Sequence, residues 1–470
     1  MGKSYLFYDI ETSGLNCAFD QMVQFAAIRT DEDFEEKERH NMLIRLRPDV
    51  APSPGALLTH RIPVAKTLVE GIAEYEAVLA IHRLLNRPET ISIGYNSLAF
   101  DDQFLRFAFY RNLLSPYTHQ WANGCGRMDL FPVTIMYWLY RPESVQWPQI
   151  NGEVRLKLEL LNEMNKLAEG QAHDALVDVE ATVALARRFR DADPSFWEQC
   201  TGYFDKRQDE KRLEQLAVMP GLEAYPTGLL VDPRIGRESG YRAPVLYLGP
   251  STVYGNQTLW LRLDEASLRE LTAETVEESY VIRKKPGELG FVRPPESDVL
   301  DDGRRKTVVE NVGWLRRNGD ILEAVQQHQC QYRYPEVPDV DADAALYQEG
   351  FMSDVELVRC QRFHDAPLRE KVDSLASFSG TTRMLAERVL GRNYGLGYRY
   401  CSYTDYMARV RGGGATAPPK DYRDKARRTP GDVLAEVKSL RGQGGLDEAE
   451  RAILDDLEAY VRYTFGVGQA

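Results

Sequence analysis

Apolar positions in the first 195 residues recur with two alternating periods. "YLFYDI" (5–10), "MVQFAAIRT" (22–30) and "HNMLIRL" (40–46) are short apolar runs and predict three successive strands. "VEGIAEYEAVLAIHRLL" (69–85) has helical spacing. "TISIGYN" (90–96) reads as a strand running into a helix, "DDQFLRFAFYRNLL" (101–114). Two further helical stretches end in "DALVDVEATVALARRFRD" (174–191), where Leu176, Val179, Val183 and Ala186 share a face. Strands alternating with helices predict an α/β domain, a mixed sheet flanked by helices.

The texture changes near residue 200. "PVLYLGPS" (244–251), "QTLWLRLD" (257–264) and "SYVIRKK" (279–285) are strand-like runs separated by Pro, Gly and charge, which predicts a small β-rich domain. Beyond 350 helical patterns dominate, broken by "RGGGATAPPKDYRDKARRTPG" (411–431), expected to be a mobile connection. The expected domains are 1–198, 199–350 and 351–470, as suits a chain of 470 residues.

Charge narrows the function class. With 58 Lys+Arg against 71 Asp+Glu the net charge is -13, unlike a generally basic nucleic-acid coat protein. The excess is uneven: residues 351–470 hold 19 Lys+Arg and 17 Asp+Glu, so that third is locally basic. The six cysteines, at 17, 125, 200, 330, 360 and 401, show no C-x-x-C spacing, which argues against a zinc site or a disulfide framework. The sequence shows no long apolar run or signal pattern, so the expectation is an unanchored protein of the reducing cytoplasm.

Three acidic clusters stand out. Asp9 and Glu11, at i and i+2 of the first strand, project from one face. Two such carboxylates repel unless a cation lies between them, and Mg²⁺ or Mn²⁺ suits all-oxygen ligands; a solvated strand end is the plainer alternative. Asp101 and Asp102 open a helix, where one acid suffices as a cap. In "QAHDALVDVEA" (171–181), Asp178 falls about one turn into a helix and His173 on the loop entering it.

"YDIETSG", "GYNSLAFDD" and "HDALVD", in that order, resemble the DEDDh family of 3′-to-5′ exonucleases. Further stretches, "QFAAIRTD", "SPGALLT", "FYRN", "RPESVQWP" and "LYQEGFMSD", are similar to the bacterial exonuclease I family, although His60-Arg61 departs from its pattern. The resemblance implies a ribonuclease H-like sheet, then an SH3-like domain and a helical C-terminal domain. It implies a processive 3′-to-5′ exonuclease that degrades single-stranded DNA to nucleoside 5′-monophosphates with two Mg²⁺ ions, Mn²⁺ being a substitute, in DNA repair and recombination.

Residue by residue, the resemblance makes Asp9, Glu11, Asp101 and Asp178 the metal ligands and His173 the general base. Thr12 and Ser13 fall near the terminal 3′-hydroxyl, with Asn96 and Phe100 lining the approach. Arg111 and Arg127 either bind phosphate or form helix-surface ion pairs. Arg141 is the candidate contact for the acidic C-terminal tail of single-stranded DNA-binding protein. A monomer without membrane attachment is expected. The competing readings are a DEDDh exoribonuclease and a non-catalytic single-strand-binding recruitment protein.

Overall fold

The structure is a computed structural model, and it describes residues 2–170, 174–296, 299–412 and 417–467. Four strands of the first sheet are β1 (Ser4–Thr12), β2 (Met22–Thr30), β3 (Glu36–Leu43) and β4 (Thr90–Gly94); β5 (Gly126–Asp129) is the fifth. Their order is β3-β2-β1-β4-β5, which puts the strand carrying Asp9 and Glu11 in the middle. β1 runs antiparallel to β2 and parallel to β4, so the sheet is mixed as expected. All nine residues of β2 are buried, as its unbroken apolar run requires of a strand covered on both faces.

The third strand starts earlier than its apolar residues suggest. Pairing with β2 runs from Thr30 opposite Glu36 to Gln24 opposite Leu43 and so recruits the charged "EKER", which suits an outer strand. The helix expected over 69–85 is shorter too, spanning Glu74–Leu85. Ile72 is drawn into a parallel bridge with Ile44, with Arg45 N donating to Ile72 O at 2.7 Å, and this extended pairing overrides the helical pattern before residue 74.

The chain forms two compact units. One comprises Met1–Arg127, Lys166–Ala184 and Glu336–Ala470; the other comprises Met128–Asn165 and Leu185–Pro335. In the first, Leu6, Tyr8 and Phe25 of the sheet share a core with Val78 and Ile81, with Phe104 and Leu105, and with Leu385 and Val389 of the late helix Gly380–Tyr394. A neighbouring core joins Val23, Leu46 and Leu57 to Tyr406, Val433 and Leu454.

The second unit holds a sheet whose main path is Val281–Lys284, Thr258–Arg262, Arg242–Pro250, Leu222–Val231 and Phe291–Arg293. The three expected strands are present. The long strand Leu222–Val231 escapes the pattern because Pro226 and Gly228 interrupt it, and the helices Asp302–Arg317 and Gly319–Gln331 add helix to a stretch that reads as β-rich. Among the described residues no helix is long and apolar enough to cross a membrane.

The connection expected to be mobile is tied down over its described part, 417–431. Lys420 bridges to Val340 and Ala426, Asp421 accepts from Asn16 Nδ2 at 2.9 Å, and Arg427 is buried against Asp49 and Tyr406. Its Gly/Pro content signals irregular backbone, and these long-range bonds fix that backbone in place.

Candidate active site

The end of β1 concentrates the chemistry. Alternation places Asp9 and Glu11 on one face, opposite Ala26 and Gln24 of β2, and the register shifts between Glu11 and Thr12. Such an irregularity re-aims the side chains beside it. Asp178 comes from the first turn of the helix Ala175–Ala192, with its backbone N–H bonded to Asp174 O at 3.1 Å. One carboxylate oxygen each from Asp9, Glu11 and Asp178 lies within 4.8 Å of the others.

Electrostatics shows that this cluster is short of positive charge. Burial, then the charges of Asp101, Glu11 and Asp178, push the Asp9 carboxyl well above the usual carboxylate range. Glu11 is pushed up to about 8 by burial and by Asp178, Asp101 and Asp174. Part-buried, all-oxygen and mutually repelling, the set fits a hard divalent cation, which relieves the repulsion directly. Asp101, 6% exposed at the start of the helix Asp101–Arg111, adds its charge from across the site.

Its neighbour Asp102 has the opposite environment. Arg127 Nη1 lies 2.5 Å from Asp102 Oδ2, Arg106 bonds the same oxygen, and His119 Nε2 is 3.3 Å from Oδ1. Burial raises this carboxyl, but Arg106 and Arg127 outweigh it and hold the group far below the usual range. The adjacent acids thus divide the work: Asp102 fixes the helix start and Asp101 faces the acidic cluster. Arg127 takes the ion-pair role.

The substrate candidates separate. Thr12 is 6% exposed and its hydroxyl donates to Gly14 O at 2.8 Å. Ser13 is fully buried; its hydroxyl donates to Asp20 Oδ1 at 3.2 Å and accepts from Gln21 N at 3.1 Å, so it builds the loop. Gly14 lets that loop close, since a Cβ there falls 2.4 Å from Asp20 Oδ2. Asn96 is exposed with φ 61°, a turn residue. Phe100 is half-buried and tilted against Phe104 at 4.9 Å.

Arg111, expected at the substrate, is elsewhere: it has no exposed surface, and Nη2 donates to Glu74 Oε1 at 2.8 Å. Facing the core rather than solvent, it is a structural cation. In the second unit Arg141 donates to Asp193 Oδ2 at 2.7 Å and lies 4.4 Å over the Phe196 ring, with its side chain 37% exposed. His173 lies outside the described residues. Gly170, just before it, has φ 144°, and a Cβ there meets Val177 Cγ2 at 2.5 Å, so the chain enters that loop against the helix carrying Asp178.

A cleft bordered by Phe100, the residue before Asp101, is not anticipated by the sequence pattern. It has a volume of about 640 Å³ and is lined by Leu15, Asn16, Phe100 and Gln103 on one side and by Tyr422 and Arg423, with their neighbours up to Arg428, on the other. The signal was present in the basic "KDYRDKARR", but its Gly/Pro flank reads as a linker.

A family model described as Exonuclease matches residues 6–186, a span that contains all of these acids. Exodeoxyribonuclease I of Escherichia coli K12 is 31% identical over 375 residues, covering 75% of this chain and 78% of the relative. The chain belongs to the exodeoxyribonuclease I family. As a member of that family it is a nuclease, a phosphodiester hydrolase that uses a divalent metal. The fold agrees over nearly the whole chain. The crystal structure of E. coli Exonuclease I in complex with a dA16 oligonucleotide superposes with a TM-score of 0.83 at 24% identity, covering 98% of this chain and 100% of that one. The zinc ion bound form of the E. coli ExoI-ssDNA complex gives 0.82 at 24% identity, covering 99% and 100%.

Proposed function

We propose that this member of the family is a 3′-to-5′ exonuclease acting on single-stranded DNA, releasing nucleoside 5′-monophosphates from the free 3′ end processively and serving repair and recombination. The observation that carries the reading is the convergence of Asp9, Glu11 and Asp178 within 4.8 Å, where, among the described residues, burial and neighbouring acids are what chiefly raise the Asp9 and Glu11 carboxyls. That relatives have been solved with single-stranded DNA supports the choice of substrate.

Asp9, Glu11 and Asp178 hold one Mg²⁺, and Asp9 with Asp101 serves a second, Mn²⁺ being the substitute. A bound divalent pair supplies an activated water and stabilises the leaving 3′-oxygen. The rigid middle strand keeps Asp9 and Glu11 aligned, and the helix start keeps Asp178 opposite them. His173, whose ordinary pKa is about 6.5, takes the proton from the attacking water near neutral pH. Thr12 Oγ1, donating to Gly14 O, retains lone pairs to accept from the terminal 3′-hydroxyl. Arg141 is the proposed contact for the acidic tail of single-stranded DNA-binding protein, whose carboxylate displaces Asp193 from the guanidinium. The protein acts as a cytoplasmic monomer.

The test is mononucleotide release from a uniformly labelled single strand in Mg²⁺, with excess unlabelled competitor. Loss of release in Asp9→Asn and Asp178→Asn, each still folded, supports the site; hydrolysis at the original rate overturns it. Faster digestion of the matching RNA overturns the substrate, and a ladder of intermediates under competitor overturns processivity.

A further inference from the structure

The segment after Pro419 reaches the loop that leaves the catalytic strand. Asp421 Oδ2 takes a hydrogen bond from Asn16 Nδ2 at 2.9 Å, while Oδ1 accepts from the backbone of Arg423 at 2.8 Å and Lys425 at 2.9 Å. Tyr422 stacks on Phe107 at 5.4 Å, with Tyr347 edge-on to it at 4.9 Å. Farther along, Arg427 donates to Asp49 O and to Tyr406 Oη. Three anchors within seven residues make this a rigid wall.

The charges on that wall are unequally used. Lys420 is paired with Asp424 at 2.7 Å, Arg428 with Glu436 at 3.1 Å, and Arg427 is buried. Arg423 and Lys425 are exposed over the cleft, and among the described residues neither forms an ion pair. Across the cleft are Leu15, 84% exposed, and the half-buried ring of Phe100. Four acids also line the cleft, and each is engaged: Asp20 by Ser13 and Asn16, Asp421 by Asn16, Asp432 by Thr429 and Glu436 by Arg428. Arg423 and Lys425 opposite Leu15 and Phe100 then match a chain of phosphates and bases, since unpaired bases stack on rings while their phosphates seek Lys and Arg. Phe100 immediately precedes Asp101, so the cleft borders the helix start that carries one of the acids.

We propose that residues 421–428 form a phosphate-binding wall for the single strand, with Arg423 and Lys425 each contacting a strand phosphate. The inference rests on the single-strand exonuclease reading above. It gives a function to a basic stretch of the C-terminal third that is otherwise only a connection.

The experiment compares the full-length wild type with R423A/K425A. Binding of a labelled oligothymidylate is measured in chelator across a series of salt concentrations, and steady-state hydrolysis in Mg²⁺. Each lost phosphate contact lowers the slope of log K against log salt by about 0.7 for single strands, so the double variant is expected to lose about 1.4. KM rises while kcat holds, and the unfolding midpoint shifts little because both side chains are exposed and the one contact given up is that of Arg423 over the Tyr422 ring at 5.0 Å. The charge-conserving R423K/K425R keeps the wild-type slope. An unchanged slope in R423A/K425A, with the wild type hydrolysing normally, overturns the inference and leaves the exonuclease reading standing; so does R423K/K425R losing slope as fully as the alanine pair. A wild type that hydrolyses no single strand overturns both.

Discussion

Replacing Glu74 by Gln tests whether the arginines nearest the sheet are structural. Glu74 is 2% exposed; Oε1 accepts from Arg111 Nη2 at 2.8 Å and from Arg47 Nη1 at 3.0 Å, and Oε2 lies 3.1 Å from the same Arg47 nitrogen. Burial alone raises its carboxyl, but Arg111 and Arg47 overcome that and bring it from 4.5 to about 2. A depression of about 2.5 units is worth about 3 kcal/mol at 1.36 kcal/mol per unit. Breaking buried ion pairs elsewhere costs about 3–5 kcal/mol, which agrees. Above about pH 4.5 the group is ionised whether folded or unfolded, and the stabilisation is complete. Between there and about pH 2 the unfolded chain takes up the proton first, so the advantage of wild type over Glu74→Gln shrinks and then vanishes. Denaturant unfolding followed by tryptophan fluorescence at about pH 7 and about pH 3 follows the decline, from about 3 to about 1.4 kcal/mol. A difference below about 1 kcal/mol at neutral pH, or one that persists undiminished in acid, refutes the reasoning. Arg111→Met supplies the functional arm: reduced stability with kcat/KM per folded molecule retained is expected, and the reverse returns Arg111 to the substrate.

Asp102→Ala leaves Arg106 and Arg127 buried without their carboxylate and is expected to cost about 3–5 kcal/mol in denaturant unfolding. Mg²⁺ at about 100 times its Kd stabilises the wild type by about 2.7 kcal/mol, and Asp178→Asn abolishes most of that shift as well as the calorimetric binding heat. His173→Ala lowers kcat by about 10²–10⁴ and removes the pH-rate limb near the histidine pKa, with the unfolding midpoint unchanged. A fragment ending at residue 198 lacks Leu385, Val389, Leu454 and Tyr406, which complete the cores under the sheet, and gives no cooperative unfolding transition by circular dichroism; a sharp transition contradicts this.

Much of the first sheet and its acids was legible because the signals are local. β2 occupies the residues of "MVQFAAIRT", and Asp9, Glu11 and Asp178 announce themselves by strand alternation and by position in a helix turn. What the pattern lacked were interactions made across long stretches of chain. The bridge from Ile72 to Ile44 shortens a helix, and β2 recruits the charged "EKER" into a strand that no apolar periodicity marks. Residues 417–431 carry every local mark of a linker; only Asn16, Asp49 and Tyr406, distant in sequence or in another element, make them a wall. Arg111 reads as a surface residue until Glu74 is known to lie beside it in the core.

Six carboxylates of the first unit divide into two groups, and burial does not separate them. Asp49, Glu74, Asp102 and Asp343 are buried, yet all have depressed carboxyls, because each is surrounded by guanidinium groups. For Asp49 the penalty of burial is overturned by Arg392, Arg47 and Arg427, with the Tyr406 hydroxyl adding a hydrogen bond at 2.7 Å. Asp9 and Glu11 are raised instead, by burial and by the charges of neighbouring acids. A chain this rich in arginine places a guanidinium beside Asp102, the residue next to Asp101, yet among the described residues the charges that act most strongly on Asp9 are acidic. That arrangement lowers the stability of the metal-free fold, since like charges are held together above their ordinary pKa. That cost is offset when a divalent ion binds, so the same repulsion that marks the site is what gives the metal its affinity for it.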